Sequence, residues 1–136
     1  MLGYLLGRWV ALPWPHGSAR DMLQGAGFVS IGLALLLAFL AIRELRKHNT
    51  TVSPIGKSSH LVTTGPYAFS RNPIYLANFL LTSGLGFAFG NAWLLVMALL
   101  AAWLEQQLAI TREERFMESH FGKGWRDYAK RVRRWI

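Results

Sequence analysis

The sequence contains no cysteine and few charged residues. None of its 136 residues is Cys, and only 16% are Asp, Glu, Lys or Arg, against about 25% in an ordinary soluble domain. The lack of cysteine excludes disulfides, thiolate metal sites and cysteine nucleophiles. The shortage of charge, together with a hydrophobic content of 52%, indicates a protein that contacts lipid.

The few charges leave two long gaps. Only Arg8, Arg20 and Asp21 precede position 43, and no charged residue lies between Asn72 and Leu104. The apolar run over residues 22–42 is about the 20 residues that a helix needs to cross a bilayer core. These gaps predict membrane helices and, despite a net charge of +8, argue against a soluble nucleic-acid-binding protein.

The amino-terminal segment, residues 1–14, is harder to assign. Arg8 interrupts its apolar part and no basic region precedes it, which argues against a cleaved signal peptide. We expect a short helix that ends at Pro13-Trp14-Pro15, because proline stops helical continuation. Such a helix can lie in the interface or cross the membrane with a tilt, and the sequence leaves both possibilities open.

The second apolar gap predicts a helical hairpin. Pro73 can open a helix, and the run from there to Leu104 is too long for one ordinary span, with Gly90-Asn91 near its middle. Basic residues flank the run on both sides, so the positive-inside rule places both flanks in the cytoplasm. We therefore predict an all-α, polytopic membrane protein with three to four membrane helices, including this carboxyl-terminal hairpin.

The segment after Trp103 predicts cytoplasmic helices. Its apolar residues recur at helical spacing among charges, which indicates that the second hairpin helix continues as an amphipathic one and ends at Phe121-Gly122. A short basic helix over Trp125–Trp135 then follows, and its plainest role is as a membrane-surface anchor. We expect a single domain over 1–136, with membrane helices in 1–47 and a functional core in 48–136.

A long loop, residues 48–70, leads into that core and is a candidate site. Gly65-Pro66 predicts a turn, Asn72-Pro73 predicts a helix start, and two tyrosines and Arg71 lie close by. Because helix amino termini bind anions, this junction can hold a carboxylate. The alternative is an interfacial turn with tyrosines in the aromatic belt and Arg71 as a topology charge.

The adjacent Glu113 and Glu114 form a second candidate. Neighbouring side chains on a helix point about 100° apart, so the two cannot face one partner equally. The inward carboxylate can meet a ligand ammonium, or it can form an intramolecular salt bridge with Arg71 or Arg112. We favour Glu114 as inward, because it lies four positions after Ile110 and near the apolar stripe of Leu104, Leu108 and Phe121.

The four histidines do not have the spacing of metal ligands, and we predict no metal site. They are His16, His48, His60 and His120.

Two segments together resemble a known family. They are LVTTGPYAFSRNPIYLANFLL and, about forty residues later, ITREERFMESHFGKGWRDYAKRVRRWI. The combination of GPY, R-x-P-x-Y, a hairpin, EE and FG with a basic end resembles the integral-membrane methyltransferases of the isoprenylcysteine carboxyl methyltransferase and phospholipid methyltransferase type. The resemblance covers roughly residues 53–136.

The resemblance implies a cytoplasmic loop and carboxyl-terminal helices that bind S-adenosylmethionine. One wall of the pocket would comprise Gly65, Pro66 and Tyr67, and the other Arg71, Asn72, Pro73 and Tyr75. Glu113 and Glu114 would close the pocket, and Arg71 and Glu114 would be the catalytic residues. Many family members have histidine where this chain has Asn72, which puts a general-base role at that position in doubt.

The function implied is S-adenosylmethionine-dependent methylation of a lipophilic or membrane-accessible acceptor. Candidates are an isoprenylcysteine-like carboxylate, a thiol and a phospholipid amine. Partners would be membrane lipids and a lipophilic or lipidated substrate, in the inner (plasma) membrane with the cofactor site toward the cytoplasm. The alternative is a non-catalytic lipid-binding or regulatory protein that retains the fold.

Overall fold

A computed structural model describes residues 2–48 and 61–136. Over these residues the regular elements are helical and no strand occurs, which confirms the all-α prediction for this part of the chain. Residues 49–60 of the predicted loop lie outside the described residues. The helices are α1 (Leu2–Trp9), α2 (Ser18–Lys47), α3 (Pro73–Phe89), α4 (Ala92–Glu105), α5 (Thr111–Phe121) and α6 (Lys123–Arg131), with a 3-10 turn over Gly65–Ala68 and a π turn over Gln106–Ile110.

Within the described residues, two helical segments are long and apolar enough to cross a membrane. They are Ser18–Lys47 and Ala92–Phe121, each of 30 residues and therefore about 45 Å long, against a hydrocarbon core of about 30 Å. Helix α3 is also apolar but has only 17 residues. Large apolar side chains such as Phe39 and Leu99 are exposed on these helices, as lipid contact requires. The predicted total of three to four crossings stays a prediction.

Helix α1 ends earlier than the prolines predict. It stops at Trp9, four residues before Pro13. The carbonyl of the next residue, Val10, accepts a hydrogen bond from the indole of Trp93 at 2.6 Å. That carbonyl is therefore satisfied by a side chain distant in sequence and not by a further helical turn.

The contacts of the chain group into two compact units. The first unit comprises Met1–Leu35 and Ala77–Trp103, and the second comprises Leu36–Leu76 and Leu104–Ile136. The predicted single-domain organisation, with its division at residue 47, stays a prediction.

The first unit is held by close helix approach. A Cβ atom added to Gly27 on α2 would lie 2.4 Å from the backbone nitrogen of Ala88 and 2.7 Å from the carbonyl oxygen of Gly84, both on α3. Nearby, the Ser30 hydroxyl donates to the Leu80 carbonyl at 2.8 Å. Small residues at a crossing let backbones approach in this way, as is common between membrane helices.

The predicted turn at Gly90-Asn91 is confirmed. Gly90 has a φ of +65°, which favours glycine, and α3 ends one residue before it. The Asn91 side-chain oxygen accepts the backbone N–H of Trp93 at 3.0 Å, an N-cap for helix α4.

The second unit has its own apolar core. The chain turns between α5 and α6 at Gly122, whose φ is +56°, so the predicted end of the amphipathic helix at Phe121 is confirmed. Trp125, Tyr128 and Val132 are buried against Leu61, Met117, Phe121 and Ala129. The sequence predicts a basic helix over Trp125–Trp135, but helix α6 ends at Arg131 and Val132 is extended. The next carbonyls, of Arg133 and Arg134, accept hydrogen bonds from Arg71 and Asn72.

Candidate functional site

The Gly65–Ala68 turn packs against the end of helix α2. Gly65 has a φ of +63°, and a Cβ atom there would lie 3.0 Å from a carboxylate oxygen of Glu44. The Thr64 hydroxyl donates a hydrogen bond to the same carboxylate. The positive φ therefore favours glycine at position 65, and an added side chain would also displace the Glu44 carboxylate. Glu44 was not singled out in the sequence, because it resembles an ordinary charge at the end of a membrane helix.

Tyr128 ties the same turn to helix α6. Its hydroxyl donates to the carbonyl of Tyr67 at 2.6 Å and lies 3.4 Å from the carbonyl of Ser70. Burial raises the pKa of Tyr128, an effect that the positive charges of Arg71 and Arg131 partly oppose. Burial likewise raises the pKa of Tyr67. Both phenols are therefore neutral at physiological pH and Tyr128 stays a hydrogen-bond donor.

The junction before α3 is held by the last residues of the chain. As predicted, Pro73 opens the helix, and Leu76 donates its N–H to the Asn72 carbonyl at 3.0 Å. The backbone N–H of Arg71 donates to the Arg133 carbonyl at 3.0 Å. The side-chain amide of Asn72 donates to the Arg134 carbonyl at 2.9 Å, so part of the hydrogen-bonding capacity of Asn72 serves the fold.

Glu114 lies between two arginines. Nε and Nη2 of Arg134 donate to its two oxygens at 2.9 and 2.8 Å, and Nη1 of Arg71 lies 3.4 Å from Oε1. The salt bridge with Arg71, one of the two alternatives predicted, is present. The stronger partner, Arg134, lies in the basic segment whose plainest predicted role is a membrane-surface anchor, and its place in that run of basic residues does not distinguish it from its neighbours. The hydrogen bond to Glu114 raises the pKa of Arg134.

Glu113 faces a different partner. Its Oε1 accepts a hydrogen bond from the Tyr75 hydroxyl at 2.8 Å. The two adjacent carboxylates thus point to separate groups, as about 100° between neighbouring side chains requires. Both are partly buried, whereas Arg112 and Arg115 on either side of them are exposed.

The apolar stripe used to favour Glu114 does not mark an inner face. Leu104 is 39% exposed and Leu108 is 64% exposed, whereas Ile110 is fully buried. Beside lipid an apolar side chain has no need to turn inward, so the stripe and the protein-facing side differ. The segment also contains the π turn Gln106–Ile110, which shifts the faces of the helix after it and which the sequence did not predict.

A further side chain of the tail reaches this π turn. The indole N–H of Trp135 donates to the Gln106 side-chain oxygen at 2.9 Å. Residues 133–135 therefore contact both the junction before α3 and the helix that holds the acidic pair.

Arg71 retains an unused donor. Its Nε is buried and has no hydrogen-bond partner among the described residues, while its guanidinium carbon lies 5.8 Å from the centre of the Trp125 ring. Buried donors are nearly always paired, so the Arg71 Nε is one of the few exceptions among the described residues.

The predicted site residues all belong to the second unit. The structure brings Tyr75 to Glu113 and Arg71 to Glu114, whereas Gly65 meets Glu44. Their roles in binding and catalysis stay predictions. Among residues 2–48 and 61–136 no three or more His, Asp or Glu side chains cluster as metal ligands would.

Comparison with known proteins identifies the family. Residues 23–124 match the model of the phospholipid methyltransferase family. The chain is 29% identical over 106 residues to protein-S-isoprenylcysteine O-methyltransferase of Schizosaccharomyces pombe, an alignment that covers 78% of this chain and 45% of the relative.

Two bacterial relatives carry different names. The nickel-cobalt-cadmium resistance protein NccN of Alcaligenes xylosoxydans xylosoxydans is 37% identical over 76 residues, 56% of this chain and 35% of the relative. The cobalt-zinc-cadmium resistance protein CzcN of Cupriavidus metallidurans is 36% identical over the same length, with the same shares.

The chain spans less than half the length of these curated relatives. No solved structure matches it. Because the family model matches most of the sequence, and the residues GPY, R-x-P-x-Y and EE that carry the resemblance lie within the match, the chain belongs to the phospholipid methyltransferase family.

Proposed function

We propose that this protein is an S-adenosylmethionine-dependent methyltransferase that acts on a lipophilic acceptor in the membrane. Two observations support the proposal: a buried, unpartnered guanidinium nitrogen on Arg71, and the partly buried carboxylate of Glu113 on another segment of the same unit. An amino-acid end has one carboxylate and one ammonium, and this pair offers one cation and one anion. S-adenosylmethionine supplies an activated methyl group on a sulfonium.

The residues present fit the two ends of that cofactor. The Nε of Arg71 would donate to the carboxylate, a charge-assisted hydrogen bond. Among the described residues, Glu113 accepts one hydrogen bond, from the Tyr75 hydroxyl to Oε1. Its carboxylate would also accept a hydrogen bond from the ammonium. The aromatic faces of Tyr67 and Tyr75 would attract the sulfonium.

The chain's task in the reaction is then alignment and exclusion of water. Methyl transfer is an in-line displacement, so the protein must hold the acceptor atom in line with the bond between the methyl carbon and the sulfur. A carboxylate acceptor needs no base at the transfer step, whereas an amine must first lose a proton, and no residue of the site is assigned as a base. We propose a carboxylate on a lipophilic molecule, the group modified by an O-methyltransferase such as the fission-yeast relative's name describes.

Location follows from the same proposal. The basic flanks of the apolar run support a cytoplasmic location for the loop and carboxyl terminus of the second unit, and the cofactor site would then face the cytoplasm. A topology reporter fused after Ile136 should accordingly report the cytoplasmic side.

Binding is the first test. Isothermal titration of the detergent-solubilised protein with S-adenosylmethionine should show saturable binding that S-adenosylhomocysteine competes for. The alternative, a non-catalytic lipid-binding protein that retains the fold, requires no such site. Absence of binding by folded protein would contradict the enzyme proposal.

The bond formed identifies the acceptor. Membranes incubated with methyl-labelled S-adenosylmethionine and the protein should yield labelled, organic-extractable product. If the acceptor is a carboxylate, mild alkali releases the label as methanol, because it hydrolyses an ester. Label that resists alkali would instead indicate methylation of a thiol or an amine. The Arg71→Ala variant is the inactive control.

A further inference from the structure

The last residues of the chain form a clamp on the candidate site. We define the tail clamp as residues 133–135. Its backbone accepts the Arg71 N–H and the Asn72 side-chain amide, its Arg134 side chain binds Glu114 through two hydrogen bonds, and Trp135 binds Gln106. Through these polar contacts the tail clamp joins the junction before α3, at Arg71-Asn72, to the helical segment that contains Gln106 and Glu114.

The charges of Arg71, Glu114 and Arg134, where the tail clamp meets the site, do not cancel. Glu114 carries one negative charge, and two guanidinium groups, of Arg71 and Arg134, lie within 3.4 Å of its oxygens. Arg134 takes both oxygens in the bidentate geometry that binds carboxylates most strongly. Arg71 makes only the longer contact, through Nη1 at 3.4 Å, and keeps Nε unpartnered.

We propose that Arg134 is a positioning residue that neutralises Glu114 and thereby leaves the Arg71 guanidinium available for an anionic ligand group. Without Arg134, the carboxylate would have Arg71 as its remaining close cation, and the two would pair directly. Arg71 would then be both neutralised and turned toward Glu114. The inference deepens the proposed function, since the anionic group in question is the carboxylate of S-adenosylmethionine.

This role differs from that of a headgroup anchor. A side chain that anchors the chain to headgroups is exposed, as those of Arg133 and Lys130 are. Arg134 is 34% exposed and its partner Glu114 is 18% exposed, so the pair is partly withdrawn from solvent. A contrasting pair lies on the surface of the same unit, where Arg126 and Glu118 are 4.0 Å apart and more than half exposed.

The test uses paired substitutions and cofactor titration. Arg134→Ala should raise the Kd for S-adenosylmethionine roughly tenfold. Adding Glu114→Gln to it should restore affinity to within about threefold of the unsubstituted protein, because removal of the competing charge frees Arg71 again. Decarboxylated S-adenosylmethionine lacks the anionic group, so Arg134→Ala should change its Kd by less than about twofold.

Controls separate charge from structure. Arg126→Ala and Glu118→Gln remove the exposed pair and should leave both Kd values unchanged. A merely structural role for Arg134 predicts that the double variant binds no better than Arg134→Ala, and that affinity for the decarboxylated compound falls as much. Either result would overturn the inference.

A second measurement does not depend on the cofactor. Thermal unfolding of Arg71→Ala, Arg134→Ala and the variant that combines these two substitutions should be non-additive. Among the described residues each single variant leaves Glu114 one close cation, whereas the combined variant leaves none. The combined variant should therefore unfold at a temperature lower than the sum of the two single shifts predicts. Additive shifts would overturn the inference. If the unsubstituted protein binds no S-adenosylmethionine, the proposed function fails, and this unfolding cycle still decides whether the two arginines share Glu114.

Discussion

The two units of this protein are stabilised by different kinds of contact. In the first unit two helix backbones approach closely, where Gly27 faces Gly84 and Ala88. In the second, side chains with charge or hydroxyl groups join segments that are distant in sequence, as Glu114 does with Arg71 and Arg134. Beside lipid, helices associate through close packing of small residues, whereas chemistry on a charged ligand needs cations and anions held apart. The comparison predicts that the largest loss of folded protein comes from substitution in the first unit, and that losses of cofactor binding come from substitutions in the second.

The largest effect is expected at the close approach in the first unit. Gly27→Leu would place a side chain where even a Cβ atom lies 2.4 Å from a backbone nitrogen, so α2 and α3 must separate. We expect destabilisation of more than about 3 kcal/mol, seen as loss of folded protein in detergent. Gly32→Leu is the control, since nothing lies within 4 Å of a Cβ atom there. Equal stability of the two variants would contradict the close-packing interpretation.

The next effect belongs to the second unit. Arg71→Ala should weaken S-adenosylmethionine binding by about 1.5 to 3 kcal/mol, the usual contribution of a hydrogen bond to a charged group. The control is Arg112→Ala, which removes an exposed arginine from the same unit and should leave affinity unchanged. Titration calorimetry measures both. If folded Arg71→Ala protein binds as the unsubstituted chain does, Arg71 is a topology charge.

The acidic pair sharpens the comparison within the second unit. Glu113→Gln should lower cofactor affinity about tenfold, because it removes the charge proposed to meet the ammonium. Glu114→Gln should leave affinity within about threefold and lower the melting temperature, because two arginines lose their shared partner. This order reverses the preference for Glu114 drawn from the sequence. A larger binding defect in Glu114→Gln would restore that preference.

The difference between the units also explains what the sequence could predict. Membrane helices and turns follow from local rules and from the need to cover apolar residues with lipid. The sequence therefore predicts the helices of the apolar gaps, the helix start at Pro73 and the turns at Gly90 and Gly122, and all are found in the structure. The partners of Glu114 depend on where the tail lies after Val132, a matter of tertiary contact. Arg134 and Tyr128 have no local signal that separates them from other residues of a basic helix. The apolar stripe does not follow the protein-facing side, since Leu104 and Leu108 can remain exposed beside lipid, whereas Ile110 is buried.

The smallest effect is expected at Tyr128, which joins the turn to α6. Tyr128→Phe removes the donor to the Tyr67 carbonyl at 2.6 Å and should destabilise the protein by about 1 kcal/mol, with a cofactor affinity close to normal.

The pH dependence of the stability difference between this variant and the unsubstituted protein supplies a second readout. Burial raises the pKa of Tyr128 in the folded chain above its ordinary value, which is about 10. Below that pH the phenol is protonated in both states and its contribution to stability is complete. As pH rises further, the unfolded chain releases this proton while the folded chain retains it, so stability falls. Tyr67 shares the raised pKa, hence Tyr128→Phe should reduce the alkaline loss of stability without abolishing it. The measurement is thermal unfolding of Tyr128→Phe and of the unsubstituted protein between about pH 9 and 11. If the melting temperatures of both fall equally steeply with pH, the Tyr128 hydroxyl is not buried as a donor in the folded state.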